Sequence, residues 1–139
     1  MSNFGTDKIV GFTNGCFDIL HVGHVQMLEY IKKNCDYLVI GIDSDRRVKE
    51  NKGEERPLNT EDDRLYMLES LRCVDAVFVF DSDQELIELV KRTAPDLMVV
   101  GSDYKNRQVI GAKHAKNVVF FERIDGFSTT KIIQCTADR

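Results

Sequence analysis

The sequence predicts an α/β fold: a single domain, residues 1–139, on a doubly wound, mostly parallel sheet of five strands. Three observations predict it. Short apolar runs alternate with stretches of helical periodicity along the chain. The runs are apolar without alternation, as in parallel strands covered on both faces. A length of 139 residues holds one core.

The elements follow in order. Ile9-Val10-Gly11-Phe12 reads as the first strand. Val25, Leu28 and Ile31 give the next segment a helical stripe. Tyr37-Leu38-Val39-Ile40-Gly41-Ile42 is the second strand, ended by Asp43-Ser44-Asp45, which caps a short helix through Lys49. Residues 50–59 are polar and carry Gly53 and Pro57, which predicts a mobile loop. An interdomain linker fails on size, since neither side would hold its own core. Thr60 caps the following helix, Glu61-Asp62-Asp63 form its acidic first turn, and Leu65, Leu68 and Leu71 with Met67 form its buried stripe.

Ala76–Phe80 is the third strand. A helix over 81–93 turns Leu86, Ile87 and Val90 inward and stops at Ala94-Pro95. Leu97–Val100 is the fourth strand, ending at Gly101. Residues 102–116 are irregular with one short helix. Asn117–Phe121 is the fifth strand, and Ser128 starts a last helix with Ile132 and Ile133. Crossovers between parallel strands should be right-handed.

Composition narrows the function classes. A net charge of −4 argues against a general nucleic-acid coat but not against a local basic pocket. No apolar run approaches the ~18 residues that span a membrane. Residues 1–8 are polar and lack the apolar region of a signal peptide, so the expected location is cytoplasmic. The cysteines Cys16, Cys35, Cys73 and Cys135 form no C-x-x-C pair, which predicts free, mostly buried thiols rather than a zinc or redox site.

The chemistry concentrates at 13–24, Thr-Asn-Gly-Cys-Phe-Asp-Ile-Leu-His-Val-Gly-His. Two of the chain's three histidines, His21 and His24, flank Gly23 where strand gives way to helix. A helix start offers unpaired N–H groups and a positive dipole end. A phosphate chain fits there, with both imidazoles reaching it and Gly23 allowing close approach. Open α/β sheets bind ligands at such a junction. Incidental histidines donating to carbonyls are the bland alternative. Asp18 either orients a histidine or orders its own loop. Cys16 is a small spacer, with a reactive helix-start thiol as the alternative.

A second cluster lies near the C-terminus. Ser128-Thr129-Thr130 follows Asp125-Gly126, and hydroxyl and N–H groups at a helix start suit β- and γ-phosphates. A plain N-cap explains Ser128 but not three hydroxyl residues in a row.

Gly15-Cys16-Phe17-Asp18-Ile19-Leu20-His21-Val22-Gly23-His24 resembles the H-x-G-H signature of the cytidylyltransferase-like nucleotidyltransferases. The run from Arg123 to Lys131 resembles their second signature. The resemblance implies the Rossmann-like nucleotidyltransferase fold. It also implies that His21 and His24 act on a nucleoside triphosphate in the transition state. Backbone groups at Gly15, Cys16 and Phe17 would hold the nucleotide, as would Arg123, Ser128, Thr129 and Thr130. Lys49 and Lys52 would lie over the phosphates from the mobile loop, with Arg64 supporting the loop or the phosphates. By charge alone, Lys49, Lys52 and Arg56 among interleaved acids read as solvated surface. Asp103, in the Gly101–Lys105 turn, would lie near the nucleotide or the acceptor; an ordinary turn looks the same.

Nucleotidyl transfer needs positioning and fixed positive groups rather than a covalent nucleophile. Mg²⁺ would ride on the triphosphate, since no clustered ligand set appears. The acceptor implied by the resemblance is a small phosphorylated molecule. Within the family, Thr13-Asn14-Gly15, Lys52-Gly53 with Arg56–Asn59, and Pro95-Asp96-Leu97 with Gly101–Lys105 look like the adenylyltransferase domain that makes ADP-heptose. Arg123 and the Ser-Thr-Thr run look more like glycerol-3-phosphate cytidylyltransferase. The first match covers more of the chain, so a heptose 1-phosphate-like acceptor is expected, with ATP or CTP as donor. The kinase domain often fused to the heptose enzymes is not in this sequence. A regulatory module without turnover would show a damaged motif, and this one is intact. A homodimer is implied by the resemblance alone.

Overall fold

The computed structural model describes residues 8–101 and 108–122. Five parallel strands form one sheet: β1 (Val10–Gly15), β2 (Tyr37–Asp43), β3 (Ala76–Phe80), β4 (Leu97–Gly101) and β5 (Asn117–Phe121), in spatial order β3-β2-β1-β4-β5. The helices are α1 (Val22–Lys33), α2 (Asp45–Lys52), α3 (Glu61–Glu69) and α4 (Asp83–Thr93), with a 3₁₀ turn at Ala112–His114. The α/β class, the strand number and the parallel sheet match expectation.

Strand β2 explains why its sequence is apolar throughout. Leu38, Ile40 and Ile42 belong to a core with Leu28 and Ile31 of α1 and Leu68 of α3. Val39, between them, belongs to a second core with Leu86, Leu89 and Val90 of α4. Successive side chains point to opposite faces, and helices cover both.

Ladder lengths around β1 are unequal. Strand β1 pairs with β2 from Val10↔Tyr37 through Gly15↔Ile42. It pairs with β4 only at Gly11↔Leu97 and Phe12↔Met98. Strand β4 runs on with β5 to Gly101↔Phe121. Strands β1 and β4 therefore part beyond Phe12 and Met98, where the strand order reverses and ligands bind in open α/β sheets.

Some boundaries differ from the sequence reading. Strand β1 runs on through Thr13-Asn14-Gly15, which are not apolar but pair with Ile40-Gly41-Ile42. Helix α2 continues to Lys52, so the loop is shorter than expected; Ser44 caps its start, and Gly53, at φ +103°, follows its end. Helix α3 has the expected Thr60 cap, but its buried residues are Leu68 and, unexpectedly, Arg64. Met67 is exposed, and Leu71 lies past the helix end. In α4, Leu89 is buried and Ile87 only half-buried. The helix expected from Ser128 lies outside the described residues.

Candidate active site

His21 is the N-cap of α1, and its Nδ1 accepts from the Gly23 N–H at 3.1 Å. His24 stands at the third helical position, and its Nδ1 accepts from the His21 N–H at 3.3 Å. This is a capping box, built from two imidazoles instead of a hydroxyl and a carboxylate. The rings stack at 3.8 Å between centroids and 27° between planes. A backbone N–H can only donate, so each Nδ1 is an acceptor and each neutral ring carries its proton on Nε2. Each Nε2 thus carries the remaining ring N–H, and that of His21 is buried. The Gly23 N–H is engaged in the cap.

The turn before the helix is tightly packed. Phe17 is buried and has φ +51°, a left-handed conformation uncommon for a bulky residue. Its ring lies 5.0 Å from that of His24. A Cβ on Gly15 would stand 3.1 Å from the Phe17 ring, closer than ordinary contact. Glycine at 15 therefore lets the aromatic ring fold back over the turn.

Asp18 and Arg64 each hold a network of protein hydrogen bonds. Asp18 is fully buried, and its carboxylate accepts from Arg56 Nε at 2.7 Å, Leu58 N–H at 2.9 Å and Asn59 N–H at 2.9 Å. Burial pushes its pKa up, but the Asn59 and Leu58 N–H groups and the Arg56 guanidinium outweigh that, and the net shift is downward. Asp18 anchors segment 56–59. Arg64 is also buried. It donates from Nε to Asn59 O, from Nη1 to Cys16 O and Asp43 O, and from Nη2 to Asp45 Oδ1, all within 2.8–3.0 Å. It ties the β1–α1 turn to β2, α2 and α3.

The start of the expected basic loop is helical. Lys49 and Lys52 stand on α2, and segment 56–59 is held by Asp18 and Arg64. Lys49 Nζ donates to Arg56 O at 3.3 Å. Lys52 is exposed at the helix end. Burial pushes the Cys16 thiol up, and the Lys52 and Arg64 charges offset only part of that. A raised thiol pKa fits the spacer reading of Cys16.

Cys16, Cys35 and Cys73 are free and half-buried, less enclosed than expected. Among the described residues no three His, Cys, Asp or Glu side chains gather as a metal site. Asp103, Arg123, Ser128, Thr129 and Thr130 lie outside the described residues.

Residues 12–135 match the family described as cytidylyltransferase-like. The chain belongs to the cytidylyltransferase-like family. Within it, the chain is 48% identical over 126 residues to the bifunctional protein HldE of Campylobacter fetus subsp. fetus, covering 91% of this chain and 27% of that protein. It is 48% identical over 127 residues to the bifunctional protein HldE of Helicobacter hepaticus, covering 91% and 26%. The chain thus spans about a quarter of the length of these relatives. Among solved structures it is similar to a lipopolysaccharide core biosynthesis protein from Thermoplasma volcanium, with TM-score 0.71, 26% identity and coverage of 85% of this chain and 99% of that one. A pantoate-beta-alanine ligase from Francisella tularensis, at TM-score 0.64 and 14% identity over 97% of this chain and 71% of that one, shares the fold.

Proposed function

We propose that this cytidylyltransferase-like chain transfers a nucleoside monophosphate from ATP or CTP to a sugar phosphate, a heptose 1-phosphate-like acceptor, and releases pyrophosphate. The observation that carries the reading is the stacked imidazole pair at the start of α1. Its cap geometry places the ring N–H of each imidazole on Nε2, a donor type that suits charge building on a triphosphate. An acceptor phosphate oxygen attacks the α-phosphorus. The bond from that phosphorus to the bridging oxygen breaks, and pyrophosphate leaves with the electron pair. His21 and His24 donate hydrogen bonds to phosphate oxygens as that charge develops. Lys52 adds positive charge from the end of α2, with Lys49 beside it. The backbone at Gly15, Cys16 and Phe17 holds the nucleotide, and Arg123, Ser128, Thr129, Thr130 and Asp103 complete the site.

Mg²⁺ would arrive on the triphosphate, with few or no protein ligands. Bound there, it would neutralise phosphate charge. The identity to HldE proteins over 91% of the chain supports the heptose-phosphate branch. The Arg123-x-Asp125-Gly126-x-Ser128-Thr129-Thr130 run supports the second reading, a glycerol-3-phosphate cytidylyltransferase. A single-domain unit acting as a homodimer completes the proposal. No helix among the described residues is long and apolar enough to cross a membrane.

The test is a pyrophosphate-release assay with Mg²⁺, crossing ATP and CTP with heptose 1-phosphate and glycerol 3-phosphate. Turnover with ATP and the heptose supports the reading. Turnover with CTP and glycerol 3-phosphate alone selects the second reading. Nucleotide binding without release in any pairing would mark a regulatory module.

A further inference from the structure

Thr13 is buried in mid-sheet, and its Oγ1 donates to the Val99 carbonyl at 2.7 Å. The parallel register Gly11↔Leu97, Phe12↔Met98 stops one rung before Thr13 would face Val99. In a parallel ladder a residue's carbonyl accepts from the N–H one place beyond its partner. Continued by one rung, the ladder would bring the Asn14 N–H to the Val99 carbonyl. The threonine hydroxyl takes that carbonyl instead. It satisfies a buried acceptor and ends the ladder with one side chain. The Asn14 N–H is then outside the β1–β4 ladder, at the mouth of the cleft between Asn14-Gly15 and Val100-Gly101.

We infer that Thr13 is a positioning residue for the nucleotide: its hydroxyl holds β1 and β4 apart so that the Asn14 N–H is available to the nucleoside part of the substrate. The inference rests on the nucleotidyl-transfer reading and adds the role of Thr13 to it. The cleft lies where the sheet order reverses, three residues before Phe17 and the turn into α1. A hydroxyl is needed here, because valine has the same shape but no donor. In Thr13→Val the Val99 carbonyl would recruit the Asn14 N–H, and the ladder would close by one rung. Folding then loses little, since one hydrogen bond replaces another. Nucleotide binding loses its donor.

The test compares wild type, Thr13→Val and Thr13→Ser. Calorimetry with ATP and CTP reads affinity, and the pyrophosphate assay separates KM from kcat. Amide hydrogen exchange reads the Asn14 N–H. Thr13→Val should bind the nucleotide about tenfold more weakly, with a raised nucleotide KM and a nearly unchanged kcat. Thr13→Ser should restore affinity. Without nucleotide, the Asn14 amide should exchange fast in wild type and slowly in Thr13→Val. Unchanged affinity in Thr13→Val, or an Asn14 amide already as protected as Phe12 in free wild type, overturns the inference. The exchange measurement on wild type decides the matter even if Thr13→Val does not fold. Wild type that binds neither nucleotide would overturn the functional reading and this inference with it.

Discussion

The Asp18 carboxylate and the Arg56 guanidinium meet at 2.7 Å with the carboxylate side chain wholly out of solvent and the arginine side chain 11% exposed. The pair lies three residues before His21, and it joins the turn that carries the histidines to the segment after α2. Removing one partner of a buried pair strands the other. Asp18→Asn should therefore lower stability by about 3 kcal/mol, read from urea unfolding. The sign of its pH dependence follows from the depressed pKa. The folded value lies below the unfolded value of about 3.9, so the carboxylate stabilises the fold above that pH. The contribution fades as pH falls through the folded value. Acidifying from pH 7 to pH 3 should cost wild type more stability than Asp18→Asn.

Arg64 offers a test of guanidinium geometry rather than charge. Lysine keeps the charge but cannot serve the carbonyls of Cys16, Asp43 and Asn59 and the Asp45 carboxylate together. Arg64→Lys should cost about 3 kcal/mol and speed proteolysis within 53–59. Cleavage rates equal to wild type would show that the loop is held by Asp18 alone.

His24→Gln separates the two jobs of its side chain. Glutamine at the third helical position can close a capping box, but it has no imidazole. Stability should stay within about 0.5 kcal/mol of wild type, while kcat falls at least about a hundredfold. Thermal melts and pyrophosphate release read the two effects. A variant that stays active would remove His24 from the transition-state reading.

Lys52 is exposed, so Lys52→Ala should leave stability within about 0.5 kcal/mol of wild type. Turnover should fall about tenfold. Losing the Lys52 charge should push the Cys16 thiol up further, since that charge now lowers it. Alkylation of Cys16 at pH 8, followed by peptide mapping, should be slower in the variant. Equal rates would put Lys52 away from the turn.

The sheet was legible because continuous apolar runs leave few alternatives. The bounds of β3 and β5 matched the runs at Ala76–Phe80 and Asn117–Phe121. The end of β1 was missed because Thr13, Asn14 and Gly15 look like a turn; their pairing with β2 is a property of the neighbour, not of their own sequence. The last turn of α2 was missed because Glu50, Asn51 and Lys52 before Gly53 read as loop, while Ser44 and Val48 fasten the helix from its other end. For the site, the histidine motif was visible, but its capping role was hidden because a capping box is normally spelled with Ser or Thr and Glu or Gln. Apart from the Arg64–Asn59 bond, five positions apart, the Asp18 and Arg64 networks join residues 19–48 positions apart. Nothing local distinguishes such a buried arginine from a solvated one.

The cap at the start of α1 has a consequence for substitution. Serine or asparagine at 21 would hold the helix end, but neither carries a second nitrogen on the far side of a ring. Any replacement made for a firmer fold would therefore surrender a proton donor, while any replacement chosen for its charge would loosen the helix. The same two rings that close the cap are the ones proposed to meet a phosphate, so the helix start can survive their loss while the proposed reactivity cannot.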